Sequence, residues 1–170
     1  FTDVTLQEGF NSVASAGAYD SVWGDLDRDG DQDLIVPNTS ANPERVYVSD
    51  ASENGNHWLY VKLAGPAQNT TAIGASLYAT MNDGSLDGKT LRREANTNAG
   101  TFNQSDVPVH FGLGTSTVVE WLRVVWPDGT VQFLHNVASN QYLSLSFATA
   151  LTGDFNGDGT VDAADYVVWR

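Results

Sequence analysis

Between Trp23 and Val36 the chain reads WGDLDRDGDQDLIV, which sets five carboxylates, Asp25, Asp27, Asp29, Asp31 and Asp33, within nine residues around Gly30. Carboxylates this close repel one another at neutral pH. Alternate residues of an irregular loop can turn their oxygens toward one hard cation, provided a glycine permits the sharp bend. The D-x-D-x-D-G-x-x-D spacing, followed at once by Leu34, Ile35 and Val36, therefore predicts a calcium loop and not a merely solvated acidic turn. Asp25, Asp27, Asp29 and Asp33 are expected to give side-chain oxygens and Asp31 its backbone carbonyl.

The end of the chain repeats the chemistry in another register. Asp154, Asn156, Asp158, Gly159, Thr160, Asp162 and Asp165 fall on loop positions one, three, five, six, seven, nine and twelve of an EF-hand-type loop. The last position carries Asp where Glu is usual, so its reach is shorter. The first loop runs into a strand, and the second into AADYVVWR, which reads as a short helix. Two Ca2+ sites are expected.

Nine of the 21 acidic residues belong to these loops, and two calcium ions would bring the formal net charge from -13 to -9. The eight Lys and Arg are scattered, which argues against nucleic acid and anionic membrane surfaces as partners. The absence of Cys leaves calcium as the available staple. No apolar run approaches a membrane span. The chain starts at Phe1, which reads as a processed or partial product whose signal peptide has been removed. Calcium loops of modest affinity fill where calcium is near millimolar, so an extracellular or cell-surface location is expected.

Alternation of apolar and polar residues dominates the rest. Phe1 to Phe10 reads as an edge strand, and Arg45 to Ser49 as a short strand after the calcium hairpin. From His57 the period is two: His57, Leu59, Val61 and Leu63 on one face, Trp58, Tyr60 and Lys62 on the other. Ile73 to Met81 repeats it, Asn82–Asp83–Gly84 turns the chain, and Leu91 to Ala95 follows. Val118 to Trp126 is apolar on both faces, with Leu122, Val124 and Trp126 set against Val119, Trp121 and Val125, as in a central strand. Pro127–Asp128–Gly129 returns it into Val131 to His135, and Gln141 to Phe147 closes the sheet. The fold class is all-β: a β-sandwich with an N-terminal calcium-loop hairpin and a short C-terminal EF-hand-like loop plus helix. The expected division is a calcium-binding segment over 1–50, a sandwich over 51–148 and the second loop over 149–170.

Several stretches resemble known modules. FTDVTLQEGF with VWGDLDRDGDQDLIVPN resembles an FG-GAP or VCBS-type calcium repeat. NHWLYVKLAG, AIGASLYA, VHFGLG and VVWPDGT resemble the ASPIC and UnbV domain, also found in cartilage acidic protein. GDFNGDGTVDAADYVVWR resembles a dockerin type I repeat. Together they imply a secreted bacterial surface protein without established catalytic residues. FG-GAP repeats normally form propeller blades, so a single copy must pack on the sandwich or on another molecule.

No catalytic constellation is visible. His57, His110 and His135 sit in separate strand patterns without an acidic or hydroxyl partner at motif spacing. HFGLG lacks the third glycine and the helix of a phosphate loop, and the paired carboxylates lie inside the calcium loops. Asn38, Asn69 and Asn103 begin glycosylation sequons. Two functions remain. One is a non-enzymatic structural subunit that self-associates through strand edges as a homo-oligomer or fibre. The other is a module that binds carbohydrate or a surface protein through an aromatic face such as Trp58, Tyr60 and Tyr78. Those aromatics would equally suit burial against the first segment.

Overall fold

The computed structural model describes residues 20–37, 45–50, 55–97, 104 and 108–147 of the 170-residue chain. Apart from one 3-10 turn at Gly84–Leu86, the regular elements among these residues are strands. β1 (Val22–Gly24), β2 (Asp33–Val36) and β3 (Arg45–Tyr47) form an antiparallel sheet of their own. Two further sheets make the sandwich. One has the order β10 (Gln141–Ser146), β4 (His57–Ala64), β7 (Val109–Gly114). The other has the order β6 (Thr90–Glu94), β5 (Ser76–Met81), β8 (Val118–Val125), β9 (Val131–Ala138).

The core follows from the period of two. Leu59, Val61, Phe111 and Leu113 from the first layer meet Leu77, Ala79, Leu122 and Val124 from the second, all buried. Trp126 plugs one end, its Nε1–H donating to Gln132 Oε1 at 3.3 Å and its ring edge-on to Phe147 at 5.3 Å. β10 lies parallel to β4, pairing Leu143 with Val61 and Leu145 with Leu63, whereas the other sandwich pairings are antiparallel. A parallel neighbour cannot be reached by a hairpin, so β10 crosses from the β9 layer to the opposite one.

Three boundaries differ from the sequence expectation. Ile73 is exposed and precedes β5, because Ala72 and Gly74 take positive φ angles of 53° and 94° and break the extended run. Val119 does not share a face with Trp121. The β5–β8 register shifts between Thr80 and Met81, which pair with Trp121 and Val119, so Glu120 is the extra residue of a bulge and Val119 turns inward beside Leu122. The central character of β8 holds, since it pairs on both sides. Finally, β9 runs on to Ala138, three residues past the expected end at His135, with Asn136 at φ 53°. The strand expected over Phe1 to Phe10, the second loop and its helix lie outside the described residues.

Phe111 is fully buried between the layers, so Phe111→Ala should cost about 3–5 kcal/mol. Urea unfolding checks this; a loss under about 1 kcal/mol would mean that the two layers do not share one close-packed core.

Candidate metal centre

β1 and β2 are joined by the acidic loop, and the loop folds around its own carboxylates. Asp27 Oδ1 accepts from the Asp29 N–H at 3.3 Å and Asp29 Oδ1 from the Asp31 N–H at 2.9 Å, two Asx-type turns in succession. Asp25 Oδ2 accepts from the Gly30 N–H at 3.0 Å, drawing the loop closed. The result brings one oxygen each from Asp25, Asp27 and Asp29 within 4.8 Å of one another. Oxygens that share one calcium at about 2.3–2.6 Å are separated by no more than about 5 Å, so the spacing fits. Asp25 Oδ1 is buried without a hydrogen-bond partner.

Asp33 is placed differently from the other three. It is 0% exposed, and its two oxygens accept from the Leu26 N–H at 2.8 Å and the Ser49 N–H at 2.9 Å. It thus ties the loop to the segment after β3, and it lies outside the converging trio. Asp31 lines the flank of the loop, where an open cleft of about 350 Å3 is bordered also by Ser49, His57, Trp58 and His110.

The loop is seated on the outer face of the β10-β4-β7 layer. Gly30, at φ 100°, lies so close over the Trp58 indole that an added Cβ would fall 1.8 Å from Trp58 Cε2. His110 Nε2 reaches the Gly30 carbonyl at 3.2 Å, which makes Nε2 the protonated nitrogen of that ring. The Tyr142 hydroxyl donates to Asp25 Oδ2. Trp58, Tyr60, Tyr142 and His110 pack on one another beneath the loop, with Tyr60 and Tyr142 stacked at 4.9 Å and Tyr60 and His110 at 4.7 Å. Burial lowers the His110 pKa, and the Gly30 carbonyl opposes that shift. The imidazole is therefore a neutral hydrogen-bonding prop at pH 7.

Sequence reasoning located the carboxylates and, as one of two uses, the burial of Trp58 and Tyr60 against the first segment. It did not find Tyr142 or His110, which reach the loop from strands far away in the chain. Tyr78 lies on the other layer, under the Arg123 guanidinium at 4.0 Å, so it does not share a face with Trp58 and Tyr60. His57 bonds to Asn140 and His135 packs on Trp121, and the two are not brought together. Asn69 uses its carboxamide to close a turn, Nδ2 donating to the Ile73 carbonyl at 2.9 Å. Asn38, Asn103, Asp154, Asn156, Asp158, Thr160, Asp162 and Asp165 lie outside the described residues.

Compared with known proteins, residues 65–152 match the family model described as ASPIC and UnbV, which is more than half of the chain. No curated protein matches it. No helix among the described residues is long and apolar enough to cross a membrane.

Gly30→Ala adds strain at a positive φ and drives a methyl group into Trp58. Its calcium dissociation constant, by titration calorimetry, should rise at least about ten-fold, or 1.4 kcal/mol. Trp58→Ala in the same chain should recover part of that loss, since it removes the overlap and leaves the strain. Unchanged affinity in Gly30→Ala would show that seating on Trp58 and ion binding are independent.

Proposed function

The chain belongs to the ASPIC and UnbV family, and we propose that it is an extracellular calcium-binding structural protein, without enzymatic activity, that associates with further copies of itself. The observation that carries this reading is the converging Asp25, Asp27 and Asp29 carboxylates on a loop clamped to the sandwich through Gly30. An ion held there stabilises the contact between the first segment and the sandwich as well as the loop. We read residues 1–50 as an FG-GAP or VCBS-type segment and residues 149–170 as a dockerin-like second calcium site built on Asp154, Asn156, Asp158, Thr160, Asp162 and Asp165. A chain with this role would work where calcium is plentiful, at or beyond a bacterial cell surface.

Self-association draws support from the strand edges. β6 is guarded by Lys89, Arg92, Arg93 and Glu94, which disfavour a further strand. β9, the opposite edge of that layer among the described residues, has eight residues and neither Lys, Arg, Asp, Glu nor Pro. An added strand from a neighbour would find its hydrogen-bonding groups there. The second reading, a carbohydrate-binding module, is favoured by one observation: the cleft beside the loop combines the Trp58 ring with Asp31, Ser49, His57 and His110.

Chelation should lower the melting temperature, since calcium at 100 times its dissociation constant contributes about 2.7 kcal/mol. Asp27→Ala should weaken binding at the first loop only, and terbium bound there should luminesce through Trp58 excitation. An unchanged melting temperature in excess chelator, together with no calcium by elemental analysis, would remove the calcium reading.

Deleting Phe1 to Leu6 should give folded monomers if this segment is the strand that a neighbour receives. Sedimentation with a thermal melt separates the outcomes: a destabilised monomer places the segment in its own fold instead.

A further inference from the structure

The two outer faces of the sandwich differ in a way that its net charge conceals. Outward positions of a solvated antiparallel sheet are usually polar. On the β6-β5-β8-β9 layer, however, one cross-strand row reads Arg92, Tyr78, Arg123, Phe133 in register. Arg123 lies over the Tyr78 ring at 4.0 Å and Arg92 beside it at 6.0 Å, with Glu94 as the nearest carboxylate, 3.4 Å from Arg92. The Tyr78 hydroxyl raises the Arg92 pKa further, so the charge is permanent. In the neighbouring rows Trp121 is 42% exposed, edge-on to Phe133 at 6.2 Å, and Val131 is 41% exposed. The face is aromatic and cationic in a chain of net charge -13.

The first sheet is its counterpart. Val46 is 54% and Val48 61% exposed on one face of it, just before Ser49, whose N–H donates to Asp33 of the acidic loop, and Trp23 is 46% exposed on the other face. Val22, Ile35 and Val46 form one row of this sheet and Trp23, Leu34 and Tyr47 the next, so both of its faces are apolar. A small sheet that is apolar on both faces is one that expects a cover on each. Its loop is fixed to the outer side of the β10-β4-β7 layer through Trp58 and Tyr142, so it stands on the opposite side of the sandwich from Tyr78 and Trp121.

We infer that the Arg92–Tyr78–Arg123–Phe133 face receives the Val46–Val48 face of the β1–β3 sheet of a second copy of this chain. Charge complementarity selects that occupant. Each molecule offers an apolar patch next to the acidic loop and a cationic aromatic one; the five Asp and Arg28 of the loop sum to -4, and a bound calcium would leave -2, so the sign holds. The patches are different surfaces on opposite sides, so the contact is head-to-tail; it runs on as a chain or closes only as a ring, never as a two-fold dimer. The inference rests on the self-association proposed above and assigns it a surface beyond the β9 edge.

Sedimentation velocity in millimolar calcium tests it with two variants. Arg92→Glu/Arg123→Glu removes the receiving face and Val46→Lys/Val48→Lys the inserted one, both at exposed or half-buried positions, with thermal melts confirming the fold. Each variant alone should sediment as a monomer, with association at least about ten-fold weaker than in the parent chain. Mixed in equal amounts they should form one heterodimer and nothing larger, because each retains the surface the other lacks. About 1 M salt, where the screening length is about 3 Å, should weaken the parent assembly. A parent chain that stays monomeric sinks self-association and this contact together. A parent chain that assembles while the arginine variant assembles equally well, or a mixture that stays monomeric, overturns this contact and leaves self-association standing. An arginine variant that assembles normally but loses retention on immobilised polygalacturonate would assign the face to an acidic glycan instead and overturn the inference.

Discussion

The acidic loop holds together groups that repel. Three carboxylate oxygens within 4.8 Å oppose one another by about 3–4 kcal/mol per pair at an effective dielectric of 20. Three such pairs are comparable with the whole stability of an ordinary domain, about 5–15 kcal/mol. The aromatic floor under the loop works in the other direction. Covering Tyr60 and part of Trp58, at about 25 cal/mol per Å2 and 150–250 Å2 for a whole aromatic side chain, is worth at most about 4–6 kcal/mol for each ring. The two terms are of similar size and opposite sign, so carboxylate repulsion within the loop opposes the seating of the first segment on the sandwich. A divalent cation held there, as proposed, would convert the repulsive term into an attractive one. Metal binding, as proposed, and segment docking would then be a single equilibrium.

That coupling needs a strand buried on both sides. β4 supplies it: Leu59, Val61 and Leu63 point into the sandwich while Trp58 and Tyr60 point out, and Tyr60 is as inaccessible as the core leucines. Its neighbours complete the floor. β7 contributes His110 and β10 contributes Tyr142, each from the strand flanking β4. The parallel placement of β10 matters here, because the Tyr142↔Tyr60 register is what stacks the two rings and aims the Tyr142 hydroxyl at Asp25. Gly30 is the complementary feature on the loop, the one residue type that lets the backbone lie against an indole at a positive φ.

What could be read in the sequence was local. The spacing of aspartates around Gly30, the alternation through β4, and the Pro127–Asp128–Gly129 turn depend on residues close in the chain; the turn and the alternation from Trp58 to Leu63 appear in the structure where they were expected, whereas His57, expected on the face of Leu59, is set off by a bulge and lines the outer cleft with Trp58. Three things were not legible. The bulge at Glu120 leaves the period of two unbroken on the page, so Val119 reads as sharing a face with Trp121. The convergence of the Leu26 and Ser49 amides on Asp33, which sets it apart from the Asp25, Asp27 and Asp29 trio, is invisible in a sequence. Tyr142 and His110 lie more than 75 residues from the loop they support, and only sheet order brings them to it. Tyr78 shows the same gap: it shares a residue type with Tyr60 and lies on the other layer, where arginines make it part of a different surface.

The sandwich thereby acquires a direction. A two-layer sheet with polar outer faces has no reason to prefer one side, and its solubility would follow from the net charge alone. Here one layer carries an acidic loop on an aromatic floor, while the other sets Arg92 and Arg123 around Tyr78. The edges are unequal as well, since β6 carries Arg92, Arg93 and Glu94 with Lys89 just before it, and β9 has no Lys, Arg, Asp or Glu. Charges placed on a face adjoining a guarded edge repel a further strand there and leave the face itself open to side-chain contact. Specificity in such an arrangement comes from where the few cations are, not from how many there are. Eight positive residues in an acidic chain of 170 are too few to neutralise it, and enough to give one of its surfaces the opposite sign.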